Sequence, residues 1–423
     1  MATIPFDSTV ALLREGYPFI SSRCEALGAD LFTSRLALRP VTFLRGADAA
    51  ELFYGGDRFT RAGAVPPSAK HLLQDEGSVQ TLDGPVHRHR KHAFLELVGP
   101  DARQRLGDLF ERSWQEAART WPGRGRFVLH DEVSGILART ACAWAGVPLP
   151  AHEAARRTRE LRLMIDNAGR FGPPNWYARA RRLGTERWAA GLVERVRAGD
   201  LAAAPRTALR VFADLRGPDG APLPASTAAV ELINVLRPTV AVARFVVFAA
   251  TALHEHPGWR GALAAGDEAA LEAFAQEVRR HYPFFPAVPG RVREPFEWRG
   301  HRFAAGDRVV LDLYGTCHDP RLWEDPDSFR PERFRGRRWE ESPRDLIAQG
   351  AGRHDEGHRC PGEWSTVELL KRAVRLLAAS GLEVPPQDLS IRLNRFPALP
   401  RSGFVVEERC APPGPGGAGT MGP

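Results

Sequence analysis

The sequence predicts a mainly α-helical fold with a small β region. Three observations carry this. Apolar residues recur at helical spacing through most of the chain, they alternate strictly in only a few short runs, and prolines (Pro320, Pro326, Pro331, Pro385, Pro386) punctuate the last third. The helical period predicts helices over 46–54, 84–97, 101–120, 128–146, 150–166, 174–198, 224–255, 259–265, 268–281 and 363–380. Alternation predicts short strands around Leu36–Phe43, Val309–Leu313 and Phe404–Val406. No internal repeat interrupts this pattern, so residues 1–410 read as one domain. The tail 411–423, rich in Gly and Pro, has the composition of a disordered segment.

Bulk chemistry narrows the function classes. The chain has 423 residues, 43% hydrophobic and 26% charged, with ample material for one large core. Its net charge is +7, but acidic and basic residues are interspersed and no aromatic-studded basic stripe marks a nucleic-acid binder. The five cysteines (Cys24, Cys142, Cys317, Cys360, Cys410) are sparse and odd in number, which argues against a disulfide framework and for a reducing, cytoplasmic setting. The first twenty residues lack the basic-then-apolar pattern of a signal peptide. The most apolar stretch, about 228–253, is interrupted by Arg237, Pro238 and Arg244, leaving pieces shorter than the ~20 residues of a membrane span. It reads as a buried core helix.

Chemistry concentrates near Cys360. The cysteine stands before a strongly periodic helix (Val367, Leu369, Leu370, Val374, Leu376, Leu377), with Pro361 suited to the first helical position. The helix dipole and the adjacent Arg359 both predict a lowered thiol pKa, as a thiolate metal ligand requires. Three readings stay open on this segment: a zinc site with His354 and His358, a single thiolate on haem iron, and a buried free cysteine. Upstream, Glu277 and Arg280 form a Glu-x-x-Arg pair on one helix face, and PheArgProGluArgPhe at 329–334 offers Arg333 as a second arginine.

Glu-x-x-Arg, Pro-Glu-Arg-Phe and Gly-His-Arg-Cys-Pro-Gly, in this order, resemble the haem–thiolate enzymes of the cytochrome P-450 superfamily, and the resemblance runs from the early strands to about Glu408. It implies the cytochrome P-450 fold, non-covalent haem b with Cys360 as the axial iron ligand, and a structural ion network of Glu277, Arg280 and Arg333. Two features depart from the pattern: Arg353 stands where most members have Phe, and the cysteine loop is longer than usual.

The central helix narrows the resemblance. Where most members carry an acid–alcohol pair, this chain has Arg237 and Pro238. A helix-interior proline costs about 3 kcal/mol or more, and a buried arginine without an anion is also unfavourable. A planar guanidinium is suited to gripping both oxygens of a carboxylate inside the pocket. The segments 236–245, 58–61, 80–91 and 358–364 resemble the fatty-acid peroxygenase branch. There the resemblance implies that hydrogen peroxide supplies oxygen and electrons, that no redox partner is obligatory, and that the carboxylate of a fatty acid or related acid, held by Arg237, does the acid–base work. Arg61, His87, Lys91 and Arg359 then match positions holding the haem propionates. The same resemblance implies that Gln80 lies over the haem near the substrate's Cα and Cβ and that Phe284, Phe285 and Pro286 line the cavity. Gln80 further implies hydroxylation at Cα or Cβ over decarboxylation to a terminal alkene. The segment 72–78 is more polar than a wall beside an alkyl chain requires, above all at Gln74, which points toward a shorter or functionalised acid. The alternative from the same fold is a reductase-driven monooxygenase of another small acid, with Thr239 as its proton relay. A haem- or acyl-binding protein without turnover is the alternative from another class.

Overall fold

The computed structural model describes residues 6–75, 77–340 and 344–408, so the predicted tail 411–423 and Cys410 lie outside the described residues. All ten predicted helices form, with ends displaced by a residue or two. The predicted 224–255 helix is two coaxial pieces, Ala225–Ala241 and Ala243–Glu255, with Pro238 inside the first and the interruption at Val242. From 228 to 253 every residue is buried except Pro238, Thr239 and Ala241. This stretch is long and apolar enough to cross a membrane, and it forms the centre of the core.

Five short helices escape the sequence pattern: Thr9–Glu15, Phe19–Leu27, Pro67–Leu73, Ala208–Asp214 and Tyr314–Cys317. At one or two turns each, they offer too few positions for a helical period to declare itself.

The strand predicted over 36–43 is a hairpin instead. Leu31–Leu36 pairs with Arg39–Leu44, and Ala37 and Leu38 turn at φ 50° and 63°. Neither is a glycine, but Thr9 Oγ1 and an Asp7 carboxylate oxygen each accept a 2.6 Å bond from the two turn amides, which helps hold a conformation that L-residues seldom adopt. The hairpin extends into a five-stranded sheet through Arg308–Asp312, Ala287–Val292 and the edge strand Phe59–Thr60. That edge delivers Arg61, and the approach to Ala287–Val292 delivers Phe284–Pro286. A second, three-stranded sheet contains Val405–Glu408, close to the strand predicted near 404–406.

Candidate active site

The Cys360 loop is shaped by its backbone. The Cys360 amide donates to Gln349 O at 3.1 Å, and the Glu363 amide, opening the Glu363–Ala379 helix, donates to Cys360 O at 3.3 Å. Gly350, at φ 98°, lets the chain approach its neighbours. A Cβ there would lie 2.9 Å from Tyr54 Oη and 3.3 Å from Arg359 Cα. The Cys360 residue keeps some exposed surface, and Gln349 Nε2 stands 3.8 Å from Sγ.

The predicted lowering of the thiol pKa does not occur. Burial, then Glu363, pushes it up against the opposing pull of the Gly362 amide, Lys91 and Arg279. Arg359 gives the sulfur no help because its Nε is turned to Glu363 at 2.6 Å. The thiolate must therefore be stabilised by what it binds, and a coordinated metal ion deprotonates a thiol outright.

The zinc reading fails on geometry. His354 Nε2 lies 3.1 Å from Pro361 O, while His358 stacks on His87 (centroids 4.1 Å) and faces Asp83 at 3.6 Å. Among the described residues, only His71, Asp75 and Glu186 bring three such ligand atoms together, and Arg182 Nε already sits 2.6 Å from that Glu186 carboxylate.

A set of buried hydrogen-bond donors, cationic at Lys91 and Arg61, fits haem better. On the Gly84–Leu97 helix, His87, Arg90 and Lys91 are buried while Arg88, His89 and His92 are exposed, the i, i+3, i+4 pattern of one inward face. Lys91 is bonded to two backbone carbonyls, Gly357 O and Arg359 O, and burial pushes its pKa down to about 8. Arg61 donates to Pro289 O at 2.8 Å and lies over the Phe53 ring. Neither Lys91 nor Arg61 has a carboxylate within ion-pair distance among the described residues. Arg359 keeps one buried Nη2 without a partner. Burial and the neighbouring His358 and Lys91 push the His87 pKa down to about 3. Unpaired buried cations are costly, and a group with two carboxylates would offset that cost. These residues fit the chemistry of haem: Cys360 could hold its iron, and Arg61, Lys91 and His87 could hold its propionates. Arg359 is divided between that role and Glu363.

Arg237 is buried, 4% exposed. Its Nη1 donates to Leu72 O at 3.3 Å, and its Nη2 donates to Leu73 O and to Asn234 Oδ1 at 3.0 Å. The two carbonyls end the Pro67–Leu73 helix, where the dipole partly offsets a cation. No carboxylate among the described residues pairs with it. The nearby Glu231 is bound instead to Arg90 at 2.7 Å. Burial and Arg182 push the Arg237 pKa down to about 9, against the pull of Glu231. Gln80, in the short turn Val79–Thr81, accepts from Asn234 Nδ2 at 3.1 Å. Nothing in the sequence argument singled out Asn234, Glu231 or Arg90. The signal was present as polar residues at 231, 234 and 237, three apart on one face of an apolar helix.

The Glu277 network forms as the motifs imply. Arg280 grips both Glu277 oxygens at 2.8 Å, Arg333 Nε reaches Oε1 at 3.2 Å, and the remaining arginine N–H groups bond loop carbonyls such as Cys317 O and Glu324 O. Arg279 and Arg359 share Glu363 in a second pair beside it. Phe284 stacks on Phe245 at 4.2 Å and is half-buried, like Pro286, whereas Phe285 is 43% exposed. Arg353, the departure in the cysteine loop, is exposed and paired with Asp355.

Residues 269–377 match the family model for cytochrome P450. Solved structures of cytochrome P450SP alpha (CYP152B1), one of them in complex with (R)-ibuprofen, are 46% identical, with a TM-score of 0.91 over 95% of this chain and 98% of theirs. The chain belongs to the cytochrome P450 family, whose members are haem–thiolate oxidoreductases. Its likeness lies with the CYP152 structures. Cytochrome P450EX alpha (CYP152N1) with myristic acid is 40% identical at TM-score 0.90, covering 96% of this chain and 99% of that one. A variant of cytochrome P450 OleT with arachidonic acid is 32% identical at TM-score 0.91, covering 96% and 98%. Among curated proteins, cytochrome P450 71D18 of Mentha gracilis is 37% identical over 99 residues, 22% of this chain. That match spans only 18% of the mint protein's length.

Proposed function

We propose that this chain is a peroxygenase that uses hydrogen peroxide to hydroxylate a fatty acid at Cα or Cβ, with no obligatory redox partner. The observation that carries the reading is Arg237, a buried guanidinium whose partners are all neutral acceptors. A substrate carboxylate supplies the missing anion, and a charge-assisted, two-pronged contact fixes its orientation. The bound acids named for the similar structures, myristic acid, arachidonic acid and (R)-ibuprofen, support a carboxylic acid as substrate.

Haem, when bound through Cys360, supplies the oxidising chemistry. The chain's own residues do the rest. Arg61, Lys91 and His87 hold the cofactor's carboxylates. Arg237 holds the substrate carboxylate, which takes over the proton transfer that a side-chain acid performs elsewhere in the family. Arg237 and Pro238 stand where that acid–alcohol pair would be, and Pro238, the most exposed residue between 228 and 253, offers no proton donor there. Phe284 and Pro286 supply apolar surface for the chain of the acid. The reductase-driven alternative is weakened by Thr239, whose hydroxyl is taken up by Val235 O of its own helix at 2.8 Å.

The test is product analysis after adding peroxide to holoenzyme with acids of graded length. Mainly 2- or 3-hydroxy acids are expected, with alkene a minor product that Gln80→His raises. Polar Gln74, its Oε1 buried and unpartnered, favours acids that are short or carry a hydrogen-bond donor. Turnover that needs a reductase and ignores peroxide refutes the proposal.

A further inference from the structure

One buried acid, Glu231, is paired with neither Arg237 nor the cysteine loop. Glu231 is fully buried, lies six residues before Arg237 on the same helix, and pairs with Arg90 rather than with Arg237. Its Oε1 accepts from Arg90 Nη1 at 2.7 Å and from the Val79 amide at 2.8 Å, and its Oε2 accepts from Asn234 Nδ2 at 3.1 Å. Asn234 in turn donates to Gln80 Oε1 at 3.1 Å and accepts from Arg237 Nη2 at 3.0 Å through Oδ1. Glu231 thus ties the Val79–Thr81 turn to the Arg237 helix twice, through backbone and through side chains.

The polarity of these bonds is forced. An ionised carboxylate only accepts, so Asn234 must point its NH2 at Glu231 and its carbonyl at Arg237, which only donates. The same NH2 then reaches Gln80, which must answer with its carbonyl. Among the described residues this is the only side-chain bond Gln80 makes, so its own NH2 is left with no protein acceptor.

We propose that Glu231 is a positioning residue that sets the hydrogen-bond direction of the Asn234–Gln80 relay, so that Gln80 offers the substrate a donor and never an acceptor. The inference rests on the proposed peroxygenase reading for its consequence, because a free NH2 can bond the substrate carboxylate held by Arg237 and fix which carbon is presented. Arg90 is the counter-ion that keeps Glu231 in its accepting form.

Glu231→Gln tests this with almost no change of shape. Its new NH2 opposes that of Asn234, and the conflict is relieved by flipping the Asn234 amide, which withdraws the acceptor from Arg237 and reverses Gln80. The readout is a double-mutant cycle with Gln80→Leu on the ratio of 2-hydroxy to 3-hydroxy product. The Glu231→Gln change should shift that ratio by about threefold or more, as directly coupled residues do, and should have no further effect once Gln80 is gone. Asn234→Leu, which leaves the Arg90–Glu231–Val79 contacts in place but removes the relay, should shift the ratio in the same direction, and Glu231→Gln should add nothing to it. The same cycle read by calorimetry on decanoic acid binding needs no turnover, and should show the same coupling even if peroxide fails to drive the reaction. Independent effects of positions 231 and 80, or a Glu231→Gln enzyme that melts lower with an unchanged ratio and unchanged binding, overturn the inference.

Discussion

Two buried arginines on different helices of this fold are treated in opposite ways. Arg280 is 1% exposed and grips both oxygens of Glu277, which also takes Arg333 and the Arg330 amide, so the group is closed. Arg237 is 4% exposed and meets two carbonyls and an amide, while Glu231, on its own helix, is committed to Arg90. Buried charge without a partner is unstable in itself, so a protein that keeps one has a use for it. A closed network marks a structural element. An open one marks a place where a ligand completes the set.

The comparison breaks most visibly at Glu277. Glu277→Ala should destabilise the fold by ~3–5 kcal/mol because it strands the Arg280 charge, read by denaturant unfolding. Arg237→Met should change stability by ~1 kcal/mol or less, since removal of an unpaired charge opposes the loss of three acceptor contacts. Its effect lies in function: acid oxidation by peroxide should fall by about 100-fold or more, the cost of removing one side of a buried charge pair. Arg237→Lys should retain part of the activity, as a point charge replaces a fork. If the two sites exchange these behaviours, the distinction between closed and open networks is wrong.

Ligand linkage sharpens the contrast. A fatty acid at about 100 times its dissociation constant should stabilise the wild type by ~2.7 kcal/mol. The methyl ester of the same acid should do much less, and Arg237→Met should abolish the difference between them. Calorimetric melting with acid and ester checks this. Equal stabilisation by both would mean that the apolar wall, not Arg237, recognises the substrate.

How much of this was legible in the sequence follows the same division. The long helices show themselves because burial repeats over several turns, and the closed network shows itself because Glu277 and Arg280 are three apart on one helix. Arg237 was visible as an oddity, a charge beside a proline in an apolar run. The bonds joining Glu231 to Val79 and Asn234 to Gln80 were not, because they cross 152 and 154 residues and obey no local spacing. The thiol pKa was misjudged for a related reason. Arg359 lies beside Cys360 in sequence, but in space its charge is spent on Glu363. Proximity along the chain says little about where a long side chain points.

The smallest effect lies at the edge of the closed network. His281 and His318 are neighbours of Arg280, and burial, followed in each case by adjacent positive charge, pushes both pKa values down to about 3. His318 is packed against Tyr314, ring centroids 4.1 Å apart, with Nδ1 3.0 Å from Tyr314 O. The folded pKa lies below the ordinary histidine value of about 6.5, so on acidification the unfolded chain takes up protons first. The stability contributed by the neutral histidines is complete above about pH 6.5 and is lost progressively as pH falls toward 3. Between pH 7 and pH 5 each should account for ~1–2 kcal/mol of lost stability. His318→Phe keeps a flat ring but cannot be protonated in either state. Urea unfolding at the two pH values should therefore show a smaller pH dependence in His318→Phe than in the wild type, even though the variant is weaker at pH 7 through the lost bond to Tyr314. An unchanged pH dependence would mean that His318 takes up its proton inside the fold, and that the network around Arg280 is less closed than its hydrogen bonds indicate.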